Sequence, residues 1–133
     1  MSSRWDSSGR SVGGTEMMNV NVEVTRAQNV QVAAGATVTV IPTTPVPDIR
    51  RVWAYAVCKS AEAHSMTLKI EYAHVNGTAG MYPNAAAATS VGVTAMNRVN
   101  VPQTDLPCGY VYVTLTNQDT VNHNYDVVLG GIK

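Results

Sequence analysis

The chain has 133 residues, enough for one domain with a single core. Nine basic residues balance nine acidic ones, and only 14% of positions are charged, against roughly 25% in ordinary soluble domains. The bases are scattered, with Arg50-Arg51 the only adjacent pair, which argues against direct nucleic-acid binding. No apolar run approaches the ~18 residues of a membrane span, so no membrane partner is expected.

Val occurs 21 times and Thr 14 times, against four Leu and no Phe. Both are branched at Cβ and suit a pleated strand better than a helix. The expected fold class is therefore all-β, an antiparallel two-sheet sandwich of jelly-roll or Ig-like Greek-key type. Residues 1–18 are expected to form an extended N-terminal arm, and residues 19–133 a single β-sandwich domain.

The arm is rich in Gly and Ser and has no apolar period. So polar a segment cannot order by burying its own side chains and needs an outside surface. Trp5, flanked by Arg4 and Asp6, is the expected anchor, with Arg10 beside it. After the arm, Val20, Val22 and Val24 alternate with polar residues, the period of a half-buried strand. Residues 29–41 read as strand, turn at Ala33-Ala34-Gly35, strand. Three prolines at 42, 45 and 47 mark a loop that crosses between sheets. Residues 49–59 are apolar on both faces, bulky on one (Trp53, Tyr55, Val57) and small on the other (Val52, Ala54, Ala56, Cys58). Such a strand is covered on both sides, by the opposing sheet and by the arm, a loop or a partner chain.

Met66, Leu68, Ile70 and Tyr72 give the cleanest alternation. Asn76-Gly77 is a strong turn signal, and residues 77–90 read as a long loop in which Ala85–Ala88 is too short for a helix. Short strands are expected over 91–95 and 99–101, and the Pro102–Pro107 stretch reads as another crossing. Val111, Val113 and Leu115 alternate with Tyr110, Tyr112, Thr114 and Thr116. A turn follows at 117–119, then a last strand through Tyr125, Val127 and Leu129 that Gly130-Gly131 ends. Eight or nine strands result.

No pattern names a chemistry. His64, His74 and His123 lack any ligand spacing, so they are expected to be solvated or locally hydrogen-bonded, with no metal and no cofactor. Glu62, Glu71, Asp105, Asp119 and Asp126 sit in no aromatic cluster of a glycosidase kind. There is no Gly-x-Ser-x-Gly nucleophile. Cys58 reads as a small core residue, and Cys58 and Cys108 as thiols of a reducing compartment, a bridge requiring them to face each other across the sheets. No catalytic residue and no enzymatic activity are expected. Tyr82, or Tyr110 with Tyr112, could stack a sugar; the preferred reading is that the face is packed by the arm or a neighbouring subunit, since Tyr is also favoured at protein interfaces.

The polar arm, the Val/Thr/Asn/Ala-rich sandwich, the low charge and the segment Cys108-Gly109-Tyr110-Val111-Tyr112-Val113 together resemble small virion structural proteins of tailed bacteriophages, in particular head decoration (cement) proteins. The resemblance implies a homotrimer on the capsid surface, made in the host cytoplasm, that stabilises the head by bridging subunits of the major capsid protein. Arg4, Trp5, Asp6, Arg10, Tyr82, Tyr110 and Tyr112 are then the expected interface. The alternative expectation is a carbohydrate- or receptor-binding module of a phage tail or surface fibre.

Overall fold

A computed structural model describes residues 20–59, 63–73, 86–90, 98–106 and 109–133, with residues 86–90 described by backbone alone. The described residues are all-β and hold eight strands: β1 (Asn21–Val32), β2 (Thr37–Pro45), β3 (Arg51–Cys58), β4 (Met66–Ala73), β5 (Ala86–Ser90), β6 (Arg98–Asp105), β7 (Tyr110–Asn117) and β8 (His123–Ile132). They form two four-stranded antiparallel sheets, β1-β8-β3-β6 and β2-β7-β4-β5.

The strand order decides between the two expected topologies. An Ig-like sandwich pairs its first two strands in one sheet. Here β1 and β2 lie in different sheets. The pairs β1·β8, β2·β7, β3·β6 and β4·β5 arise by folding the chain back on itself about the β4–β5 connection. Pairs β8·β3 and β7·β4 then close the roll. This is an eight-stranded jelly roll.

The alternation seen in the sequence sets the core. Val52, Ala54, Ala56, Val127 and Leu129 face inward from one sheet, and Leu68, Ile70, Val111, Val113 and Leu115 from the other. The small inward residues of β3 leave room for the larger ones opposite, as close packing requires.

Proline does not break strands here. β2 runs through Pro42 and ends at Pro45, and β6 runs through Pro102, where the sequence suggested crossings. Both are edge strands, and their ladders shift at Pro42 and Pro102. An edge strand with a bulge can spare the missing N–H, whereas a central strand cannot. The crossing after β2 instead contains Asp48, at φ 63°. β5 lies inside the expected long loop and pairs with β4 from Met66↔Ser90 to Ile70↔Ala86. Alanine is a weak strand former, so its sequence gave no strand signal. The Asn76-Gly77 turn and the 91–95 strand fall outside the described residues.

The glycine pair continues β8 rather than ending it. A Cβ on Gly130 would collide with the Trp53 indole, and one on Gly131 would come within 2.7 Å of Ile49 Cγ2. Glycine is required there because two large side chains lie directly on the backbone.

Candidate functional site

Two places in the roll break the usual distribution of residues, one by burying polar groups and one by exposing aromatic ones. The first lies at one end of the sandwich, where β3 finishes, β4 begins and β7 turns into β8. Cys58 is the last residue of β3, His64 precedes β4 by two residues, and His123 opens β8. All three are at most 5% exposed, and Tyr125 between them is fully buried.

The β7–β8 turn builds this end. Asn117, fully buried, donates from Nδ2 to the carbonyls of Val32 and Val121, and its Oδ1 accepts from the Asp119 N–H. That Asx-type turn aims Asp119 back at the His123 ring. Gln118 N–H donates to Ser65 O, which ties the β3–β4 connection to the same turn. His64 is thereby laid on His123, with ring centroids 3.9 Å apart and planes 9° from parallel.

Each ring is held at Nε2. Asp119 Oδ2 lies 2.8 Å from Nε2 of His123, and the Tyr125 hydroxyl lies 2.6 Å from Nε2 of His64. The His123 ring first, and the Thr120 N–H second, hold the Asp119 carboxyl below its usual range. Burial first, with a smaller contribution from the neighbouring Asp119 carboxylate, pushes the Tyr125 hydroxyl well above the ordinary tyrosine range, so it stays protonated. The Cys58 thiol and one ring nitrogen of each histidine all lie within 4.8 Å of one another.

Of the expectation of solvated or locally hydrogen-bonded histidines, neither His64 nor His123 is solvated, His123 is locally hydrogen-bonded to Asp119, and His64 pairs with the distant Tyr125. Cys58 and His64 lie six residues apart but His123 follows 59 residues after His64, so no compact ligand motif exists to be read. The only sequence signal was that His123 continues the inward phase of Tyr125, Val127 and Leu129, a phase that places it in the core. His74 and Cys108 fall outside the described residues.

The second place is the outer face of β3. Trp53, Tyr55 and Val57 are half-buried there, while their neighbours Val52, Ala54, Ala56 and Cys58 are buried in the core. The expected division of β3 into a bulky and a small face is therefore borne out. Trp53 Nε1–H donates to Asn21 Oδ1 at 3.1 Å, and Arg98 donates to the Tyr55 hydroxyl at 3.2 Å. Tyr55 stands between two shallow depressions. One, of about 430 Å³, is lined by Trp53, Asn100, Pro102 and Gln103. The other, of about 280 Å³, is lined by Arg26, Gln28, Val57 and Val128.

Of the expected interface residues, Arg4, Trp5, Asp6, Arg10 and Tyr82 lie outside the described residues. Tyr110 is half-buried at the start of β7. Tyr112 is only 7% exposed and Thr114 only 8%. The outer face of β7 is thus covered, which removes Tyr112 from any exposed interface or sugar-stacking platform. The burial agrees with a packed face and not with an open sugar platform, and β7 is a central strand flanked by β2 and β4.

No protein-family model matches the chain, and no curated protein sequence matches it.

Proposed function

We propose that the protein is a non-enzymatic structural component of a virion, a capsid decoration protein that forms a homotrimer and bridges neighbouring subunits of the major capsid protein. The observation that carries this reading is the half-exposed Trp53–Tyr55–Val57 strip on the outer face of β3. Such aromatic residues are favoured at the centres of protein interfaces, and charge is scarce there as it is in this chain. Jelly rolls serve in viral capsids, as well as in lectins and cupins, and this supplies a fold-level prior only.

The edges favour association by faces. β2 carries Pro42 and Pro45, β6 carries Pro102, and β1 is bulged between Ala27 and Val30 with Asn29 at φ 56°. Prolines and bulges blunt the strand-to-strand pairing that open edges otherwise invite. In this reading residues 1–18 clamp the capsid, where many identical sites act together through avidity.

Light scattering on the full chain over a concentration series tests the self-association. The expected result is a trimer that Val57→Asp converts to a folded monomer. A chain that is monomeric throughout overturns the trimer, as does a Val57→Asp variant that associates like the parent. Removal of residues 2–16 is expected to leave a folded domain that no longer reattaches to particles stripped of the protein. Unchanged reattachment rules out the clamp.

A further inference from the structure

The assembly role makes no use of the buried end of the roll. We propose that Cys58, His64 and His123 form a binding site for a zinc-class transition-metal ion, with Asp119 and Tyr125 orienting the two rings. One thiolate and two imidazoles are a donor set for Zn²⁺ and not for Ca²⁺ or Mg²⁺, which take oxygen ligands.

The geometry is close to what such an ion requires. The three ligand atoms lie within 4.8 Å of one another. Tetrahedral zinc, with bonds of about 2.0–2.3 Å, sets its ligand atoms roughly 3.3–3.7 Å apart. On binding the cluster closes by about 1 Å and the two rings turn out of their stack, because each lone pair lies in its ring plane and planes 9° from parallel do not converge on one ion.

The surrounding residues match the outer partners of a metal site. Metal-bound histidines commonly give their second ring N–H to a carboxylate or another oxygen, which fixes the tautomer. Asp119 and Tyr125 already engage Nε2 of His123 and His64. Coordination through Nδ1 keeps both bonds, with each Nε2–H donating. The Asn117 turn in turn fixes Asp119 through its backbone N–H.

A shared ion would join the thiol and the two imidazoles, which all lie buried at this end of the roll. Binding converts the Cys58 thiol to a thiolate and releases its proton to solvent. Three protein ligands leave a fourth position for water or a small ligand. The ion would cross-link β3, the entry to β4 and β8, at the end of the roll that the β7–β8 turn closes.

The test uses the full chain under reducing conditions, stripped with a chelator, and Co²⁺ as the spectroscopic probe. The expected result is one Co²⁺ per chain, with the intense visible bands of a tetrahedral site and a thiolate-to-cobalt charge-transfer band. One equivalent of Zn²⁺ should abolish both. Cys58→Ala should remove the charge-transfer band. Asp119→Asn should weaken zinc binding by about 10- to 100-fold while leaving one site per chain. No stoichiometric binding by the parent chain overturns the proposal, and the parent alone decides this if Cys58→Ala does not fold. A cobalt spectrum unchanged by Cys58→Ala overturns it equally.

Discussion

The C-terminal end of strand β3 and its outer face teach opposite lessons about the same strand. At its C-terminal end polar groups are buried: Cys58, His64, His123 and Asn117 are all at most 5% exposed. Along its outer face apolar groups are half-exposed: Trp53, Tyr55 and Val57. Buried polar groups and exposed apolar ones are the informative departures from the usual distribution. Both tolerate their position only because something engages them. For the buried end it is a network of side chains and, by our proposal, an ion. For the outer face it is a partner surface.

Mutation should separate the two regions. The largest effect is expected at Asn117, whose side chain makes three hydrogen bonds inside the turn. Asn117→Ala should cost about 3 kcal/mol, since each lost bond is worth about 1 kcal/mol, measured by urea unfolding. Gly130→Ala comes next. Its Cβ would displace the Trp53 indole, and the overpacking should cost about 1–3 kcal/mol, with a changed tryptophan fluorescence spectrum. Tyr125→Phe removes one hydroxyl from His64 and should cost about 1–2 kcal/mol without altering self-association.

Tyr55→Ser should show the reverse pattern. Its stability should stay within about 0.5 kcal/mol of the parent, as for a surface change, while the trimer dissociates at least about tenfold more readily. Arg26→Ala should have the smallest effect. The exposed Arg26–Glu23 pair holds the Glu23 carboxyl below its usual range. Any stability from that shift is present above the ordinary glutamate range and is lost as pH falls through the folded value. The parent and variant unfolding midpoints should therefore lie within error at neutral pH and coincide in acid, because exposed pairs contribute little.

How much of this was legible in the sequence follows from the range of each signal. Alternation is local, so the inward faces of β3, β4, β7 and β8 and the all-β class could be read directly. Edge position is not local. Pro42 and Pro102 looked like strand breaks because nothing in the sequence says that β2 and β6 have a free side. Gly130 looked like an end because Trp53, which requires it, lies on another strand. The histidine cluster was the least legible. It depends on a turn that brings residue 119 onto residue 123 and residue 65 onto residue 118. No motif with fixed spacing encodes that meeting. The low charge, by contrast, is a whole-chain property and needed no structure.

Native mass spectrometry of the full chain, under reducing conditions and without added metal or chelator, tests both regions in one spectrum. The account predicts a trimer carrying one zinc-mass ion per chain. A metal-free trimer would contradict the buried site alone, and a metal-bearing monomer the outer face alone. A metal-free monomer would contradict the account as a whole.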